Sequence, residues 1–307
     1  MTFTVETLKN RIILRETGKQ EAEIYLFGAL PNRYAKPDAN GVWHNIFAAY
    51  ESPEDAEARI TAGFHGAKLS PFACRLKNSR YTFGGQTRTL EKHVLNGHAI
   101  HGLLYDAPFE LAASGADETG AWAELVYDYA AGYGGYPFAY RLTVRYTLFS
   151  DGLSVRTTAQ NTGETTLPLA DGWHPYFCLG VSVDDYTLQI NSREMLEFDE
   201  ALVPTGKRLP DTRFTEPASL RGVELDNSFV LNGQGTACTL TGGGWKLAIV
   251  AVQGYPLLQI YIPPERDRIA IENLSGAPDC FNNGIGLIEL AAGESRAFEA
   301  VYTFEAV

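Results

Sequence analysis

Tyr140-Arg141-Leu142-Thr143-Val144-Arg145-Tyr146-Thr147-Leu148-Phe149-Ser150-Asp151-Gly152-Leu153-Ser154-Val155-Arg156-Thr157-Thr158-Ala159-Gln160 is the stretch that decides the fold class. Tyr140, Leu142, Val144, Tyr146 and Leu148 alternate with Arg141, Thr143, Arg145 and Thr147. After the turn signal Ser150-Asp151-Gly152, Leu153, Val155, Thr157 and Ala159 alternate with Ser154, Arg156, Thr158 and Gln160. A period of two places one set on each face of a strand, so this is an antiparallel hairpin with an apolar and a polar face.

The same signal recurs in both directions. Arg11–Arg15 and Ala22–Leu26 flank Gly18, and Tyr81-Thr82-Phe83 and Arg88-Thr89-Leu90 flank Gly84-Gly85. Downstream, Tyr186–Ile190, Cys238–Leu240, Trp245–Val252, Leu257–Ile262 and Phe298–Glu305 read as strands. Pro71 demotes the start of Leu69–Leu76 to an edge or irregular strand. Pro31-Asn32-Arg33 reads as a loop, as does the glycine-rich Gly132–Gly135. The convincing helix start is Ser52-Pro53-Glu54-Asp55, with a capping serine, proline at the first position and acids near the positive end of the dipole. That helix is expected to end by Ile60 to Gly63. Strands without a βαβ rhythm favour an all-β antiparallel sandwich with few short helices. No linker, composition shift or fixed-period repeat divides the chain, so residues 1–307 are expected to form one domain.

The 307 residues can bury a substantial core. A net charge of −12 disfavours nucleic acid or an anionic membrane as the main partner, although a local arginine cluster would override it for a small anion. Met1-Thr2-Phe3-Thr4-Val5-Glu6 shows no basic region followed by an apolar run, and no apolar run of about 18 residues occurs. Neither a signal peptide nor a spanning helix is therefore expected, and a cytoplasmic protein is. Cys74, Cys178, Cys238 and Cys280 stand far apart, which predicts buried free thiols and not a zinc site or disulfide framework.

Serine-hydrolase, phosphate-loop and zinc-protease signatures are absent. What remains is acid–base chemistry with no metal and no cofactor, drawing on His98, His101, His174 and a carboxylate. His98 and His101 lie three apart, on opposite faces of an extended strand, so a shared metal is poorly supported. His174 lies in Asp171-Gly172-Trp173-His174-Pro175-Tyr176-Phe177, where Pro175 biases it toward extended backbone. Alone it reads either as a proton donor among aromatic rings or as a half-buried histidine that satisfies a hydrogen bond. Gly172 permits either a close approach or a positive φ. Glu272 follows the apolar run from Ile269, and partial desolvation there would raise its proton affinity. It also reads as an ordinary strand-end glutamate.

Taken together and in order, five segments resemble the aldose 1-epimerase (mutarotase) family: Pro71-Phe72-Ala73-Cys74-Arg75, His101-Gly102, Gly172-Trp173-His174-Pro175-Tyr176-Phe177, Leu225-Asp226-Asn227-Ser228-Phe229 and Ile271-Glu272. The resemblance runs from about Phe3 to Phe304. It implies a galactose mutarotase-like β-supersandwich with a sugar cleft, and cofactor-free interconversion of α and β anomers. By that likeness His174 is the general acid to the ring oxygen and Glu272 the base to the anomeric hydroxyl. Arg75 and His101 hold the ring oxygen and neighbouring hydroxyls, and Asp226 is a ligand for sugar hydroxyls. Trp173 and Tyr176 are candidates either to stack on the sugar or to pack.

The chain departs from the galactose-type pattern at Leu103, at Cys74, where an asparagine often precedes the arginine, and at Asn273-Leu274. Gly-Trp-His-Pro-Tyr-Phe is more similar to the broader bacterial branch, which includes hexose-6-phosphate epimerases. A hexose-6-phosphate 1-epimerase, with basic residues at the cleft rim, is thus the alternative enzyme. A sugar-binding or sensing protein without turnover is the alternative of another class. The expected partner is a free or phosphorylated hexose, and the expected assembly is a monomer or homodimer.

Overall fold

The computed structural model describes residues 3–133 and 135–307; Met1, Thr2 and Gly134, on which the leader and glycine-loop readings partly fall, lie outside them. The hairpin forms as expected. Tyr140–Phe149 and Gly152–Asn161 pair antiparallel, from Tyr140 opposite Asn161 to Phe149 opposite Gly152. Its apolar faces, Tyr140 to Leu148 and Leu153 to Ala159, are buried. Each large apolar side chain so buried contributes about 1.5–3 kcal/mol of transfer free energy.

The hairpin lies within a nine-stranded sheet. In spatial order its strands are Glu110–Ala116, Gly120–Tyr129, Tyr140–Phe149, Gly152–Asn161, Ser295–Ala306, Trp245–Gln253, Gly235–Gly242, Thr187–Ile190 and Ala218–Ser219. A second sheet runs Pro204–Pro210, Ser192–Phe198, Asp226–Leu231, Leu257–Tyr261, Ile269–Leu274, Gly172–His174 and Ala67–Leu69, and Tyr176–Phe177 pairs again with Ile269–Leu274. A third sheet joins five strands from Phe3–Thr7 to Trp43–Asn45. Leu142 and Val144 of the first sheet share one apolar cluster with Trp173, Phe177 and Ile271 of the second, so the two sheets face each other. A smaller cluster, including Ala67, Leu69, Ile100 and Leu274, lies on the other side of the second sheet.

The helix Pro53–Arg59 is capped by Ser52, whose hydroxyl accepts from the Asp55 N–H at 3.2 Å, and a 3-10 turn carries it to Ala62. Among the described residues its α-helical companion is the four-residue Cys280–Asn283, and no helix is long and apolar enough to cross a membrane. The four cysteines are free. One expectation is corrected: Pro31-Asn32-Arg33 is not a loop but the start of the strand Pro31–Pro37. Proline is tolerated as the first residue of a strand, where its missing N–H costs little of the ladder.

Behind the second sheet lies a buried ion pair. Alternation along Ala67–Leu69 sends Ala67 and Leu69 to one face and Lys68 to the other. Lys68 Nζ donates to Asp171 Oδ1 at 2.7 Å and to the Gly172 carbonyl at 3.1 Å, and it sits 4.3 Å from the Trp173 ring centroid. The Tyr255 hydroxyl donates to the same carboxylate oxygen at 2.8 Å. Burial pulls Lys68 down to about 8 and pushes Asp171 up, each against the attraction of its partner. A buried pair broken from one side strands a charge. Lys68→Met should therefore lower the unfolding free energy by about 3–5 kcal/mol in urea titrations, and adding Asp171→Asn, which removes the stranded charge, should restore much of it.

Candidate active site

The strand Ile269–Leu274 is buried at all six positions. On one side it faces Leu257–Tyr261, with Gln259 opposite Glu272. On the other it faces two short strands separated by Pro175, with Gly172 opposite Leu274 and Tyr176 opposite Ala270. Both pairs obey one register, and carrying it through puts His174 opposite Glu272. Directly opposed residues in an antiparallel pair share a face and bring their side chains together. His174 Nε2 accordingly lies 3.4 Å from Glu272 Oε1. Glu272 is thus mid-strand and buried, not at a strand end.

Gly172 makes this close pairing possible. A Cβ there would sit 2.6 Å from Leu274 Cδ2 and 3.0 Å from the Asn273 carbonyl, so close approach, and not a positive φ, is its use. Gly102 has φ 76°, and a Cβ on it would meet the Ser70 carbonyl oxygen at 2.4 Å. It ties the segment after His101 against the loop that carries Cys74 and Arg75, where the His101 N–H donates to the Cys74 carbonyl at 2.8 Å.

A cleft of about 750 Å³ brings together all five residues singled out in the sequence: Arg75, His101, His174, Asp226 and Glu272. His101 and His174 meet edge to face, ring centroids 4.8 Å apart, and Phe64 packs on His101 at 4.5 Å. Asp226 opens the strand Asp226–Leu231 and accepts from Gln259 Nε2 at 2.7 Å. Arg75 reaches the cleft from the short strand Arg75–Leu76, paired with Ile100. His98 does not join them; its Nδ1 accepts from the Asn78 N–H at 3.0 Å. Trp173, adjacent to His174 on its strand, points to the opposite face and is core beneath Lys68, so a stacking role is ruled out for it. Tyr176 lines the cleft, 5.1 Å from the His174 ring and 4.5 Å from that of His65.

Burial dominates the electrostatics of the floor. It pulls His174 down to about 3 and His101 well below the usual imidazole range, the latter helped by His174 and Arg75. It pushes Glu272 well above 4.5, with Asp226 adding in the same direction and Cys74 and Arg75 opposing. Asp226 is raised by burial against Arg75 and Gln259. The histidine and glutamate are each driven toward the uncharged form. Nδ1 of His101 and of His174 is buried without a protein hydrogen-bond partner. No group of three or more His, Cys, Asp or Glu placed to hold a metal ion occurs among the described residues.

Several lining residues escaped the sequence reading: Arg59, His65, His93, Gln259, Tyr261 and Arg268. Gln259 carried a signal, as the polar member of Leu257-Leu258-Gln259-Ile260. His65 carried none, since it stands alone after the helix.

The aldose 1-epimerase family model matches residues 10–303 of the chain. The uncharacterized Escherichia coli K12 protein YihR is 30 % identical over 249 residues, 77 % of this chain and 78 % of the relative. An aldose epimerase homologue from C. elegans superposes with a TM-score of 0.85 at 21 % identity, covering 100 % of both chains. A galactose 1-epimerase from Lactobacillus acidophilus NCFM superposes with a TM-score of 0.81 at 21 % identity, covering 99 % of this chain and 98 % of that one. These two structures share the galactose mutarotase-like fold with it, and the match over nearly the whole length supports a sugar-epimerase type of activity. The chain belongs to the aldose 1-epimerase family.

Proposed function

We propose that this protein interconverts the α and β anomers of a hexose by opening and reclosing the ring in the cleft above His174 and Glu272. The observation that carries the proposal is the approach of His174 Nε2 to Glu272 Oε1, 3.4 Å, at a buried cleft floor. The anomeric hydroxyl and the ring oxygen of a hemiacetal share one carbon. A base and an acid that serve both must converge on one spot, as these two side chains do.

Glu272 as carboxylate takes the proton of the anomeric hydroxyl. The bond from the anomeric carbon to the ring oxygen breaks, the carbonyl forms, and the ring oxygen receives a proton from His174. With its affinity for a second proton this low, His174 acts as a neutral imidazole N–H donor. As that N–H proton leaves, Glu272 passes the one it has captured to His174 across their short separation, so no imidazolate is left and one proton has moved from one sugar oxygen to the other. Rotation of the open aldehyde and the reverse steps give the other anomer. His101, Arg75 and Asp226 hold the ring oxygen and hydroxyls, and Tyr176 offers a ring face. The chain is read here as one domain, a reading supported by the single cleft lined from strands as far apart as Arg75–Leu76 and Ile269–Leu274.

A phosphorylated hexose is the second reading, favoured by Arg59, His65 and Arg268 on the cleft wall. Against it, Arg59 pairs with Asp55 at 2.7 Å, Arg268 pairs with Asp267 at 3.0 Å, and burial beside Arg268 pulls His65 down to about 4. These three wall groups are thus ion-paired or neutral, which favours a neutral hexose. Anomer exchange measured by NMR across free and 6-phosphorylated hexoses decides between them. Exchange at the spontaneous rate for every sugar would leave only a binding protein.

Glu272→Gln and His174→Asn should each lower kcat by about 10² or more while sugar affinity changes much less. The double variant should lose far less than the product of the single losses, because the two serve one transition state. Near-wild-type turnover in Glu272→Gln would remove it as the base. A second outcome concerns protonation. In ¹⁵N spectra the rings of His174 and His65 should keep the neutral imidazole pattern as pH falls from 7 to about 5, since their folded values lie near 3 and 4. A base whose proton affinity is raised is inactive below its own midpoint, so kcat/KM should rise with pH through a midpoint above the ordinary 4.5.

A further inference from the structure

Residue 74 has φ 50°, in the left-handed region where glycine and asparagine are at ease and most other side chains are strained. A cysteine nevertheless occupies it, and its Sγ donates toward Glu272 Oε2 at 3.8 Å. Among the described residues this thiol is the side chain that donates a hydrogen bond to that carboxylate, His174 facing the other oxygen. Burial and the nearby Glu272 push the thiol well up, so it remains a protonated donor.

The other groups around Glu272 do not stand in for it. Gln259, directly opposite in the ladder, spends its N–H on Asp226 and accepts from Ser228. Asp226 adds negative charge, Arg75 adds positive charge, and the Tyr176 hydroxyl is itself kept protonated by burial and by Glu272. A thiol is a weak donor, and a carboxylate held only weakly keeps a high proton affinity. An amide N–H at the same position would stabilise the charged form more.

We propose that Cys74 is a positioning residue that anchors Glu272 through a weak S–H hydrogen bond and thereby sets the proton affinity of the base. Its value to turnover rests on Glu272 being the base, but its effect on the carboxyl does not. A stronger donor would give an ionised Glu272 over a wider pH range and a poorer proton acceptor. The thiol trades backbone comfort for basicity.

The test uses protein labelled with ¹³C at the glutamate carboxyl, with the Glu272 signal assigned by its loss in Glu272→Gln. Wild type, Cys74→Asn and Cys74→Ala are titrated without sugar. Cys74→Asn, which suits the left-handed backbone and should fold at least as well, is expected to lower the Glu272 midpoint by about one pH unit. Cys74→Ala, which removes the donor, is expected to raise it. The same midpoint in all three, or an upward shift in Cys74→Asn, overturns the proposal. The pH profile of anomer exchange is then taken with the fastest sugar of the hexose panel. A limb that follows the NMR midpoint supports both assignments. A midpoint that moves while the limb stays still supports the Cys74 proposal and removes Glu272 as the base.

Discussion

The site depends on one alignment, the register between Ile269–Leu274 and the interrupted strand that runs from Gly172 to Phe177. That register makes His174 and Glu272 cross-strand neighbours. A slip of one residue would turn one of them toward the core and the other toward the cleft. Three features hold it. Gly172 lets the strands approach, Pro175 divides the short strand, and Lys68 grips both the Gly172 carbonyl and Asp171 from behind. The row continues across the sheet, since Gln259 faces Glu272 and Ser228 faces Gln259. Three adjacent strands thus deliver His174, Glu272 and Gln259 along one line at the cleft floor, and buried Ser228 extends the row on a fourth.

The two faces of this sheet solve opposite electrostatic problems. Behind it, the Lys68–Asp171 pair is kept together by mutual attraction and by the Tyr255 hydroxyl, and its function is to hold backbone. In front, His174 and Glu272 have no comparable stabilisation of charge, and burial drives each toward neutrality. The structural pair is therefore satisfied and fixed, while the pair at the cleft floor is held close and pushed toward its uncharged forms. Both occupy one layer of strands, separated by the alternation of side chains along Asp171-Gly172-Trp173-His174.

Much of this was legible in the sequence. The hairpin at Tyr140 announced itself because one of its faces is wholly buried and the other is not. The strand Glu110–Ala116 was not found, because as an outermost strand with a bulge near Leu111 it shows no clean alternation. The five site residues were found through short motifs, and the cleft does gather them. Which strands pair, and hence that His174 faces Glu272, lay beyond reach, since register emerges from packing between distant segments. Trp173 was ambiguous for a related reason: a neighbour of His174 in the chain is its opposite across the sheet. Cys74 was visible only as a departure from a pattern; its left-handed backbone and its aim at Glu272 required coordinates.

The pairing of His174 with Glu272 also bears on how the cleft is assembled. The strands that carry them are far apart in sequence, and Asp226 and Gln259 come from segments between them. Contacts of this kind form only after long loops have closed, which makes sheets of such topology slow to complete. The hairpin at Tyr140 can form early from local contacts, but the cleft floor has to wait for the central strand Ile269–Leu274 to dock between its neighbours. Synthesis from the N-terminus leaves Gly172–His174 without that partner until nearly the whole chain has emerged. The complete cleft floor is in this sense the last feature the fold acquires, and its appearance during refolding marks the arrival of that one strand.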